Sequence, residues 1–117
     1  MARLPVAGQN AAIAAVLVPA TTYYLALHSA DPGTTGASEI SGGTYARQAY
    51  VPTSASAGAE SNTALITVPN AGSVAVTYIG IWTAATVGTY LIGAPLTASI
   101  TATSIQFGAG VASFSAS

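Results

Sequence analysis

Short β-branched and aromatic runs, cut by glycine, proline and asparagine, constrain this chain more than any other feature. Residues 21–28 (TTYYLALH), 45–51 (YARQAYV), 63–68 (TALITV), 73–83 (SVAVTYIGIWT) and 89–93 (TYLIG) each have strand composition. So do residues 96–102 (LTASITA), 103–108 (TSIQFG) and 110–115 (GVASFS). None is long enough for a repeat or a shaft, and no fixed period links them. The pattern predicts a mainly β, single-domain antiparallel sandwich or barrel of about eight short strands across residues 20–117.

One segment breaks the pattern. Residues 5–18 form the only helix candidate: Pro5 suits a first turn, good helix formers follow, and Pro19 stops the run. Most of its faces are alanine, with Ile13, Val16 and Leu17 as its bulk. Such a helix should be buried, either on its own sheets or in a neighbour. Residues 1–19 are therefore expected to form an N-terminal helix or docking arm. The unbroken apolar part, residues 11–18, is too short to span a bilayer, so no membrane partner is expected.

The 73–83 segment is the strongest strand. Its two-residue period puts Val74, Val76, Tyr78, Gly80 and Trp82 on one face, and Ala75, Thr77, Ile79 and Ile81 on the other. Both faces are apolar, which predicts a central strand covered on both sides, with Gly80 marking a bulge or a close crossing. Much of the apolar content is alanine, so the core must rest on larger residues, among them Leu25, Leu27, Leu65, Ile66, Ile79, Ile81, Phe107 and Phe114.

The chain carries only two basic and three acidic residues, Arg3, Arg47, Asp31, Glu39 and Glu60, or 4% of its length. Soluble domains ordinarily carry about 25%. A surface of Ala, Thr, Ser and Gly with so few charges is suited to being covered by copies of itself or by a partner. Two arginines cannot neutralise a phosphate backbone, so nucleic acid is not an expected partner. Cysteine is absent, which excludes disulfides and thiolate metal sites.

The chemistry of catalysis is thin. His28 is the only histidine, placed where a strand enters a loop. Its expected role is a strand-end hydrogen bond to a backbone carbonyl or to Asp31 rather than a catalytic base. His28, Asp31 and Glu39 match no common metal spacing, and the glycines at 33, 36, 42 and 43 match no phosphate loop. No enzyme activity, catalytic residue, metal or cofactor is expected. The charges read instead as architecture: Arg47, in an apolar strand after the loop, is expected to pin that loop by pairing with Glu39 or Asp31. Tyr23, Tyr24, Tyr45, Tyr50 and Tyr90, with Ile13, Val16 and Leu17, are the candidate oligomer or partner contacts.

Residues 25–51, LALHSADPGTTGASEISGGTYARQAYV, resemble a motif of small structural proteins of tailed bacteriophages, LALHxADPGxTGxxEISGGxYARQ. These proteins are of the tail-fibre, minor tail or head-decoration type. A weaker similarity covers residues 76–102, where Thr83 stands in place of an expected acidic residue. The resemblance implies a mostly β fold and a structural role on the exterior of a virion, at head or tail. The first expectation it supports is a capsid decoration or cement protein bound as a multi-copy oligomer, with copies of itself and the major capsid protein as partners. The alternative is a small tail or tail-fibre component that binds the host surface, with tail proteins as partners.

Overall fold

The computed structural model describes residues 5–115 apart from residues 57, 71 and 73. Residues 1–4 of the expected docking arm, Arg3 among them, lie outside the described residues, as do Ala71 and Ser73 of the turn and strand expected around residue 72.

Among the described residues one helix precedes eight strands. They are α1 (Val6–Val16), β1 (Tyr23–His28), β2 (Gln48–Tyr50), β3 (Ala59–Ser61), β4 (Ile66–Pro69), β5 (Val76–Trp82), β6 (Tyr90–Ile100), β7 (Ser104–Phe107) and β8 (Ser113–Ser115). Four strands form an antiparallel sheet in the order β2-β1-β5-β6, and β3-β8 and β4-β7 form two antiparallel ribbons. The mainly β expectation is met. β5 is central as its two apolar faces require, and β1 lies beside it.

The core follows from register. Leu25 faces Ile81 and Leu27 faces Ile79 across β1 and β5, so four aliphatic side chains share one face of the sheet. Ile66 and Val68 of β4, Ile105 and Phe107 of β7, and Phe114 of β8 join the same buried cluster. Leu65 does not. It lies just outside β4 and is 61% exposed, because the two-residue period that turns Ile66 and Val68 inward turns it out.

The helix belongs to this core. Ile13 and Leu17, four residues apart on one face, are fully buried, and α1 packs against β3 and β8. Gly58 lies so close that a Cβ there would sit 2.6 Å from the Gln9 amide oxygen, and its N–H donates to Asn10 Oδ1 at 2.7 Å. The bulk expected to dock on a partner is thus turned onto the subunit's own ribbon. Of the three residues proposed for that role only Val16 stays exposed.

Two segments differ from the sequence reading. β6 runs unbroken through Pro95, where two strands were expected. It is an edge strand, so an absent N–H on its open side leaves no neighbour unpaired. The polar stretch 53–62, which falls between the strands read from the sequence, contains β3. Its partner β8 lies far downstream, with Glu60 opposite Phe114, so the pairing leaves no local signature. Asn62 beside it is buried, and its amide donates to the carbonyls of Ala64, Phe107 and Gly108 while its oxygen accepts from the Ala112 N–H. One side chain thereby pairs with the buried Phe107 carbonyl and Ala112 N–H and ties residues 62–64 to residues 107–112.

Candidate functional site: an aromatic face under the 29–47 loop

The sheet face opposite the core carries His28, Tyr78 and Trp82, because Tyr24 pairs with Trp82, Ala26 with Gly80 and His28 with Tyr78. Strand β6 adds Tyr90 through a bulge. Ile81 faces Ile92 but Trp82 faces Tyr90, so one extra residue, Leu91, is accommodated in β6. The bulge therefore sets a tyrosine, not a leucine, against the tryptophan. The rings of Trp82 and Tyr90 meet edge to face with centroids 5.5 Å apart, and His28 lies nearly parallel to Trp82 at 6.5 Å.

Glycines make room for these rings. Gly80 and Gly93 pair across β5 and β6. A Cβ at Gly80 would come within 2.7 Å of His28 Nε2 and 3.1 Å of Tyr90 Cε1, and one at Gly93 would strike the Tyr90 hydroxyl. Gly80 is the close crossing that the sequence allowed, and the bulge falls on the neighbouring strand instead.

The loop after β1 folds back over this face. Gly33 N–H donates to Asp31 Oδ1 at 2.8 Å, which sets the turn, and Pro32 O then accepts from both Gly36 and Ala37. Gly36, at φ +76°, rests against the indole, where a Cβ would lie 2.5 Å from the ring. The returning chain pairs with the end of β1: Ser29 N–H donates to Ser38 O, Ile40 N–H donates to Leu27 O, and Glu39 bridges to His28.

Glu39 thereby reaches Arg47. Arg47 Nη2 and Nε donate to the two Glu39 oxygens, each at 2.8 Å, and the Tyr45 hydroxyl donates to Glu39 Oε2 at 2.6 Å. The remaining guanidinium nitrogen donates to the carbonyls of Ala84, at 3.0 Å, and Val87, at 2.7 Å. The guanidinium carbon lies 4.0 Å from the centre of the Trp82 ring. One side chain therefore joins the 29–47 loop, the β5–β6 connection and the aromatic face. Val87, a β-branched residue at φ +58°, is held at its carbonyl by this contact.

Electrostatics agree with the geometry. Burial alone would raise the Glu39 carboxyl, but the hydrogen bonds from Arg47 and Tyr45 outweigh it and hold the group below the usual carboxylate range. Burial pushes the His28 imidazole down, against the opposing pull of its bond to Ala37 O and of Glu39. At neutral pH this favours the uncharged ring. With Nδ1 carrying the proton it donates to Ala37 O at 2.8 Å, while Nε2 is buried without a partner among the described residues.

Of the residues singled out in the sequence, Glu39 and Arg47 are brought together, whereas Asp31 sits apart at the turn and caps Gly33. The eight candidate contacts do not form one surface. Ile13, Leu17, Tyr23 and Tyr50 lie in the subunit's own core, where Tyr50 donates to Ala112 O and packs edge to face on Phe114. Tyr45 is taken up by the clamp, Tyr24 is half-buried, and Tyr90 belongs to the aromatic face. Sequence reasoning missed Tyr78 and Trp82 as site residues, although their shared face with Gly80 was legible.

Two open grooves flank the loop. The first, about 340 Å³, lies between the Asp31–Pro32–Gly33–Thr34 turn and Tyr78 and Tyr90. The second, about 350 Å³, lies between the Glu39–Arg47 pair and Ala85–Val87. Among the described residues no three His, Asp or Glu side chains converge as metal ligands would. No described helix is long and apolar enough to cross a membrane.

A charge-poor antiparallel β domain, with its single ion pair among the described residues used to pin a loop, has the make-up of a structural subunit. The family described as Podophage GP4 fiber I protein gp80 matches residues 9–113 of the chain. The chain belongs to this family, and it is a structural protein of a bacteriophage virion. Comparison with curated proteins returned no match.

Proposed function

We propose that the protein is a small non-enzymatic subunit of a phage tail fibre, present in several copies, which presents the loop-covered aromatic face outward to the host surface. The match to a fibre family over residues 9–113 carries this reading and favours it over capsid decoration. Two features of the subunit support it. Leu65, Val87 and Val111 stand 61%, 83% and 64% exposed on a surface with few charges, which suits packing against copies of the same chain or other tail proteins. The clamp holds a glycine-rich loop rigidly over aromatic side chains, the arrangement of a recognition surface built on a fixed scaffold.

Immunogold labelling of virions carrying an epitope-tagged copy tests the placement. Label at the tail is the expected result. Label distributed over the head would overturn the fibre assignment and restore the decoration reading.

A further inference from the structure

The first groove has a chemistry of its own. Asp31, an exposed residue, uses one carboxylate oxygen to cap Gly33, and among the described residues no hydrogen bond engages the other. Tyr78 and Tyr90 border the groove half-buried, and among the described residues no group hydrogen-bonds either hydroxyl. Thr34 adds a further exposed hydroxyl. The walls are rigid: the Asp31 turn is closed by its own side chain, Pro32 is buried against Gly93, and the tyrosines stand on paired β-strands.

Resting on the fibre reading, we infer that this groove binds one ring of a neutral hexopyranose of a surface glycan. A pyranose has one face of C–H bonds, whose positive hydrogens pack on the negative face of an aromatic ring. Its rim carries hydroxyls that donate to a carboxylate and exchange hydrogen bonds with phenols. Asp31, Tyr78 and Tyr90 supply both kinds of partner. The volume lies near the lower end of the ~300–1,000 Å³ range of small-ligand sites. Among the described residues no cation lines the groove, and Arg47 is engaged elsewhere with Glu39 and two carbonyls, so an anionic sugar or a phosphate would meet the Asp31 charge and be repelled. Burial first, and then the Asp31 charge, push the Tyr90 phenol up, which keeps it a neutral donor.

The test is an NMR titration of the purified protein with the methyl glycosides of glucose, galactose and mannose, following the ring resonances of Tyr78 and Tyr90. N-acetylneuraminic acid and glucosamine serve as charged controls. At least one neutral glycoside should shift both rings with millimolar affinity. Asp31→Asn keeps the acceptor that caps Gly33 but removes the charge, and should weaken binding about tenfold. Tyr78→Ala should abolish it. The inference is overturned if no neutral glycoside shifts these rings, if only a charged control does, or if both variants bind as the parent does. Binding by a protein that labels at the head would sink the fibre reading alone, and a silent groove in a tail-labelled protein would sink the saccharide inference alone.

Discussion

Replacing Arg47 with methionine should remove the one interaction that ties loop, connection and sheet together. Methionine keeps apolar bulk over Trp82 but donates no hydrogen bond. The change strips Glu39 of two donors and leaves the Ala84 and Val87 carbonyls without theirs. The side chains of Arg47 and Glu39 are 8% and 21% exposed, so solvent replaces little of what is lost. Breaking a buried pair from one side costs about 3–5 kcal/mol, and the partial exposure of Glu39 places this site near the lower end, about 3 kcal/mol. That is a large share of the ~5–15 kcal/mol that holds a domain folded. Urea unfolding followed by Trp82 fluorescence measures it, with limited proteolysis of residues 29–44 as a local readout. Adding Glu39→Gln should recover about 2 kcal/mol relative to the sum of the single changes, because it removes the stranded charge. Glu39 is held below its ordinary pKa in the folded state, so its contribution is complete above the unfolded value of about 4.3 and disappears as pH falls through the folded value. The acid sensitivity should therefore shrink in Arg47→Met. A loss below about 1 kcal/mol, with unchanged proteolysis, would mean that the pair behaves as an ordinary surface ion pair and that the clamp is not structural.

Two further changes probe β3 and the residue that follows it. Glu60 is 1% exposed, with neither carboxylate oxygen hydrogen-bonded among the described residues, and burial raises its pKa. The folded state thus holds a proton that the unfolded chain releases above about pH 4.3, and stability should fall as pH rises from there, by at most about 1.4 kcal/mol per unit, until the folded value is passed. Glu60→Gln should abolish that slope and stabilise the protein at neutral pH, as measured by urea unfolding across the range; an identical slope in the variant would refute the assignment. Asn62→Ala removes a donor from the Ala64, Phe107 and Gly108 carbonyls, of which Gly108 keeps the Val111 N–H, and leaves the Ala112 N–H without its acceptor; it should cost about 2 kcal/mol in the same assay, with faster amide exchange at Ala112.

The clamp and the aromatic face differ in how far they could be read from the chain. Arg47 and Glu39 stood out because charges are so scarce that each acid and base has few possible partners. Choosing Glu39 over Asp31 needed the fold-back of residues 38–40 along β1, a set of backbone hydrogen bonds without a side-chain signature. Tyr90 was visible as an aromatic residue, but only the bulge at Leu91 turns it against Trp82, and register is a property of two strands together. Tyr23 and Tyr50 illustrate the same limit in reverse. A tyrosine serves equally well in a core and at an interface, and burial among Phe114, Leu17 and the β-ribbons decided for the core.

Alternation and turn chemistry are local properties carried by each segment alone, and they determined the strand composition and the central place of β5. Pairings between distant segments are set by which surfaces fit once all are present. Tertiary structure therefore decided that β3 exists at all, that Ile13 and Leu17 face inward, and that a carboxylate and two tyrosines from separate elements border one groove.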